Sequence, residues 1–237
     1  MWKPRAFLGV AALATPVAFA GDLFILSDPS GLSAEVEFTL LNPTTLEVRV
    51  QNTSTGAPMG FDSADQLLTG VSWDTGDLGI NLGDPEIVGG SIVIGPTSSS
   101  LNFDTGAYGP GTNVGGEWGY GNMDGSGGLP NMISGNTAQV TAFGGPNLDG
   151  PASIDGPQAG LVASPEVVGL GGLGAIQDEV IATLTISEPL SDLQFLYDHF
   201  VRVEFGSDAA FLETPEPTTI VLLGAGALAL RRRRVSR

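Results

Sequence analysis

The chain has 237 residues, room for one domain or two small ones, and carries 35 Gly, 16 Pro, one His and no Cys. That composition excludes a disulfide framework, a cysteine nucleophile and a zinc site built from Cys or paired His. Seven of the nine basic residues lie near the ends, and only Arg49 and Arg202 stand among the 26 carboxylates, so residues 21–217 carry a formal charge of −24 (two positive, 26 negative). Nucleic acid, which must have its phosphates neutralised to be bound, is excluded as a partner for such a body.

Residues 1–20 begin with Lys3 and Arg5, continue in an apolar run, and end in Ala18-Phe19-Ala20 before Gly21. A basic start, an apolar middle and small residues at the −3 and −1 positions form the pattern of a secretory signal peptide, exported by Sec-type machinery and cleaved between Ala20 and Gly21.

From Gly21 the pattern changes to period two. Residues 34–40 and 45–51 alternate polar and apolar on either side of Asn42-Pro43, which predicts an antiparallel hairpin. Further strands are expected at 67–73, 86–94 and 101–103. Residues 104–174 hold 20 Gly in 71 positions, with repeated Gly-Pro and Asp-Gly turn signals, and read as a long loop-rich insertion. Its aromatic residues Tyr108, Trp118 and Tyr120 are a candidate ligand face, since such rings stack on sugars; the competing reading is a cap over the end of the sandwich. Strands are expected again at 138–143, 179–186 and 193–205. No stretch of 21–213 offers a ten-residue amphipathic helix. The fold class expected is therefore all-β: one β-sandwich or jelly-roll-like domain over 21–213, with a signal helix before it and a short transmembrane helix after it. Core candidates are Phe38, Val48, Val50, Leu68, Val71, Ile92, Ile94, Leu184, Ile186, Phe195, Val201, Val203 and Phe205.

Residues 214–237 form a third pattern. Pro215-Glu216-Pro217 is followed by an apolar stretch at 218–230 and by Arg231, Arg232, Arg233 and Arg234 within the basic tail 231–237. Thirteen helical residues rise roughly 20 Å, short against a bilayer core of about 30 Å. Proline in the first turn and extended arginine side chains lengthen the effective span. The arginines favour the cytoplasmic face, which leaves the acidic body outside.

Tripeptide, span and arginine cluster in this order resemble the PEP-CTERM sorting signal. The resemblance covers residues 214–237 and implies recognition by exosortase, a membrane-embedded cysteine transpeptidase-like enzyme. It also implies removal of the tail and delivery to the outer surface or the extracellular polymer matrix of an exopolysaccharide-producing bacterium. The span is short and contains Gly224 and Gly226, which suits a transient anchor. The body, with Leu68-Thr69-Gly70-Val71-Ser72-Trp73-Asp74 and Glu117-Trp118-Gly119-Tyr120, is loosely similar to exported sandwich proteins bearing the same tail, a likeness that carries no activity.

Catalytic signals are sparse. His199, beside Asp198, is the only imidazole, and no G-x-S-x-G elbow or phosphate-binding loop accompanies it. Paired carboxylates for glycoside hydrolysis remain open. Asp74, Asp77 and Asp124 place oxygen ligands in turns, as calcium requires, although Asp and Asn also occupy turns for local hydrogen bonds. No other cofactor is expected. The sequence thus points to an exported, non-enzymatic surface or matrix protein of structural or adhesive type. Its alternatives are a carbohydrate-binding module of the exopolysaccharide matrix, a secreted carboxylate-dependent hydrolase, and a protein left anchored by an uncut tail.

Overall fold

The computed structural model describes residues 21–74, 86–122, 131–137, 139–149, 154, 156–194, 196 and 200–214. The alternation seen in the sequence becomes the first sheet. In β2 (Ser33–Asn42), Ala34, Val36, Phe38 and Leu40 point inward, while Glu35, Glu37 and Thr39 alternate with them. In β3 (Thr45–Asn52), Leu46, Val48 and Val50 do the same opposite Glu47, Arg49 and Gln51. One strand face is thereby removed from water, the arrangement that period two encodes. The turn between them is fixed by Asn42, whose Oδ1 accepts from the Thr44 N–H at 3.0 Å. β1 (Asp22–Ser27) adds to β2, and β12 (Glu179–Ile186) lies between β3 and β5 (Ile87–Ile94), all antiparallel.

The second sheet is built around β4 (Leu68–Trp73), every residue of which is buried. On one side β4 pairs with β13 (Val201–Phe205), which in turn pairs with β14 (Ala210–Glu213). On the other side it pairs with β8 (Asn131–Ser134) along most of its length and with β10 (Leu161–Val162) at Leu68. β7 (Gly119–Asn122) and β9 (Thr141–Ala142) extend the β8 branch. β11 (Ala175–Gln177) and β6 (Ser100–Leu101) extend the β10 branch, where β10 and β11 run parallel. A bulge at Thr69 separates the pairs Leu68↔Phe205 and Gly70↔Glu204, and the Thr69 hydroxyl donates to Gly206 O at 2.7 Å. The bulge lets Leu68, Val71 and Trp73 all belong to the core.

The sheets face each other across a shared hydrophobic core, a sandwich-like arrangement, and a smaller cluster gathers Leu67, Val162, Leu170 and Ala175. Phe38 of the first sheet and Trp73 of the second meet edge to face at 5.3 Å between ring centroids. Twelve of the thirteen core candidates are buried; Phe195 lies outside the described residues.

Three expectations change. The 104–174 stretch is not a single loop excursion: it contains β7, β8, β9 and β10, and β8 pairs directly with the central strand. Among the described residues, the strand structure within the expected 138–143 is Thr141–Ala142, and within 193–205 it is Val201–Phe205. β1 and β14 have strand partners that the reading from sequence did not include. The expected signal helix and membrane helix lie outside the described residues, among which no helix is long and apolar enough to cross a membrane.

Candidate functional site

The three aromatics expected to form a ligand face part company. Trp118 is fully buried in the core, and its indole N–H donates to Ala159 O at 3.0 Å, so its ring offers no stacking surface. Tyr108 is half-buried, packs edge to face on Phe103 with centroids 6.1 Å apart, and donates from its hydroxyl to Thr105 Oγ1 at 2.8 Å. Tyr120 donates to Asn131 Oδ1 at 2.5 Å; burial, with the Glu86 charge adding to it, pushes its phenol well above the ordinary tyrosine value. Both tyrosines pack against the core and brace neighbouring segments.

A concavity lies elsewhere. Where the end of β3, the segment after β10 and the β11–β12 junction converge, a cleft of about 480 Å³ opens between Gln51, Thr53, Thr55, Ser164, Glu166 and Asp178. Asn52 and Ser54 form its rigid floor. Asn52 Nδ2 donates to Leu161 O at 2.8 Å and its Oδ1 accepts from the Ser54 N–H at 3.1 Å, tying the two sheets together. Ser54 Oγ accepts from the Ser33 N–H at 3.0 Å. Asp178 sits at φ 65° between β11 and β12. Burial pushes its carboxyl above the ordinary aspartate value, the Glu179 charge pushes the same way, and a hydrogen bond from the Ser164 backbone opposes them. Glu166 Oε2 accepts from the Leu170 N–H at 3.2 Å. Hydroxyls, two amides and two carboxylates, with no cationic side chain in the lining, can donate to and accept from a neutral, hydroxyl-rich ligand. The sequence held no local signal for this cleft, because residues 51–55 and 163–178 meet only through the sheet packing.

Both body arginines are engaged. Arg49 Nε bonds to Glu179, whose side chain is fully buried, and Arg49 Nη1 lies 3.8 Å from Glu37 Oε2. Arg202 donates from Nε to Glu213 Oε2 at 2.7 Å and is flanked by the rings of Phe200 and Phe211 at 5.3 and 5.5 Å. Among the described residues no group of three or more acidic or histidine side chains could hold a metal ion. Asp74 follows β4; the other calcium candidates, Asp77 in the same predicted turn and Asp124 in a separate one, lie outside the described residues, as does His199.

The described chain ends at Thr214, one residue past β14. Residues 213–234 match the PEP-CTERM protein-sorting motif. The chain carries a PEP-CTERM sorting signal. No curated protein and no solved structure matches the chain. PEP-CTERM signals are recognised by exosortase, so the motif implies exosortase-dependent export and sorting to the cell surface. The PEP-CTERM match begins at Glu213, the final residue of β14, so body and signal adjoin with no spacer between them. Pro215, Glu216, Pro217 and Arg231–Arg234 lie outside the described residues, as do Ala18 and Ala20; Gly21 is the first residue described.

Proposed function

We propose that this is an exported, non-catalytic component of the cell surface or extracellular matrix, structural or adhesive in type. In this reading residues 1–20 direct export, 21–213 form the functional body, and 218–230 with Arg231–Arg234 hold the chain at the membrane until the sorting enzyme acts at Pro215-Glu216-Pro217. The observation that carries the reading is the PEP-CTERM motif joined directly to a two-sheet acidic body. Intact mass of the surface form tests it. Masses beginning at Gly21 and ending between Thr214 and Thr219 support processing. A protein that retains Arg231–Arg234, or that fractionates with the cytosol bearing both ends, overturns it.

The cleft beside Asp178 favours a second reading, a carbohydrate-binding module of the matrix polysaccharide. Its partner would be a neutral glycan bound through hydroxyl hydrogen bonds. Glycan-array binding abolished by Asp178→Asn and retained by Tyr108→Phe would favour this reading, and an empty array would remove it. Product release from the same polysaccharides would instead favour the carboxylate hydrolase.

A further inference from the structure

Among the described residues β1 is an edge strand that pairs with β2 alone, from Asp22↔Phe38 to Ser27↔Ser33. Gly21 enters it directly. A Cβ built on Gly21 would lie 2.6 Å from Thr39 Oγ1 and 2.8 Å from Glu37 Oε1, closer than real Cβ atoms approach, so the carboxylate and hydroxyl close in where a side chain would be. Bond lengths confine the Gly21 nitrogen to within roughly 5 Å of that carboxylate oxygen. The other oxygen of Glu37, Oε2, faces Arg49 Nη1 at 3.8 Å. Arg49 is already committed through Nε to buried Glu179. Glu37 therefore presents one oxygen to a shared cation and the other to the start of the strand.

Ala18-Phe19-Ala20 precedes Gly21 as a signal-peptidase site. We propose that removal of residues 1–20 creates an ion pair within the fold: the new α-ammonium of Gly21 docks on Glu37 Oε1 and Thr39 Oγ1 and fixes the free end of β1. Water hydrolyses the Ala20–Gly21 peptide bond, giving a carboxylate on Ala20 and an amine on Gly21, which takes up a proton. The ammonium has three N–H donors and no acceptor, a match for a carboxylate and a hydroxyl acceptor side by side. The charged groups around it are Asp22 on its own strand, Glu35 and Glu37 on β2, Glu47 opposite Thr39 on β3, Arg49 on β3, and the Arg202–Glu213 pair of the β13–β14 hairpin, whose strand β14 approaches β1. The carboxylates favour the ammonium and Arg49 opposes it. The amine therefore titrates above the ordinary range of about 7.7–8.0. Its stabilisation is full below that range and is lost as pH rises through the folded value.

The inference depends on the export reading for its cleavage step, and the experiment separates the two. Lys3 is the only lysine in the sequence, so the mature chain has one primary amine, that of Gly21. The exported protein is acetylated with a small active ester across pH 7 to 10, beside a peptide of residues 21–27. At pH 7.5 the protein is expected to react about three- to tenfold more slowly than the peptide. Glu37→Gln should restore the peptide rate, and 1 M NaCl on the wild type should do most of the same, since a partly exposed pair is screened. Steric shielding would survive both changes. Equal rates for wild type and peptide, or slowing that persists in salt and in Glu37→Gln, overturn the ion pair. A mass that places the N-terminus elsewhere than Gly21 overturns the cleavage step itself.

Discussion

Thr214 clasps Val201 twice: its N–H donates to the Val201 carbonyl at 2.9 Å, and its hydroxyl oxygen accepts from the Val201 N–H at 3.0 Å. The first residue of the Pro-Glu-Pro tripeptide follows immediately. Three residues span at most roughly 10 Å, so a sorting enzyme acting at the tripeptide would work within that reach of the Thr214 clasp. Thr214→Val keeps the shape and removes the acceptor for the Val201 N–H. We expect a loss of about 1 kcal/mol, faster amide exchange at Val201 and Val203, and faster tail processing in cells. Unchanged exchange at Val201 would show that the clasp does not hold the strand.

The two buried tryptophans should respond differently to the same change. Trp118 donates its indole N–H to Ala159 O, whereas the Trp73 indole nitrogen is buried with no hydrogen-bond partner. Trp118→Phe leaves a buried carbonyl unsatisfied; Trp73→Phe removes a buried unsatisfied donor. Chemical unfolding should find Trp118→Phe about 1–2 kcal/mol more destabilising than Trp73→Phe. Equal losses would mean that packing volume alone decides both sites.

The two arginines also divide. Arg49→Met leaves Glu179 buried without its cation, and a loss of about 3 kcal/mol or more is expected. Arg202→Met breaks a pair whose side chains are both about one-third exposed, and should cost about 1 kcal/mol or less. Parallel urea titrations of the two variants distinguish them.

Buried Glu204 supplies a pH test. Burial pushes its carboxyl above the ordinary glutamate value of 4.5, while hydrogen bonds from the Asp208 N–H and from Asn136 Nδ2 push it down and the Asp208 charge pushes it up again. Because the folded value is the higher one, the wild type binds more protons folded than unfolded between the two values, and this group's contribution to stability rises as pH falls through that window. Glu204→Gln keeps the acceptor oxygen and removes the charge. Its melting temperature should equal or exceed the wild type's near neutrality, and the advantage should shrink toward acid. An advantage that grows toward acid would reverse the assignment.

Much of the first sheet was legible in the sequence because one face is wet. Glu35, Glu37, Glu47 and Arg49 alternate with buried Val36, Phe38 and Val48, and that contrast is the signal for a half-buried strand. The second sheet lacks it. β4 is buried along its whole length, and β7 carries Gly119 and Gly121 where a Cβ would lie 2.5 Å from Thr141 O and 2.9 Å from Gln139 O. Those glycines permit close approach of neighbouring backbones, yet in a sequence they look the same as glycines in a loop. Two- to four-residue strands also give period two no length to declare itself. The sorting signal was legible because its chemistry is contiguous. The Asp178 cleft was not, since its walls come from segments more than a hundred residues apart.

The placement of β14 sets how the β13–β14 hairpin responds to load. Among the described residues β14 pairs only with β13, and Arg202↔Glu213 is the register pair nearest the tail. Traction applied to the C-terminal side of Thr214 would load the hairpin as a zipper: the Thr214 clasp would yield first, then the Arg202–Glu213 bridge, then each rung in turn toward the bend at 206–209. A pull that would have to shear many rungs at once in the centre of the sheet meets only one at its rim, so the hairpin gives way under load before the five-stranded sheet is disturbed.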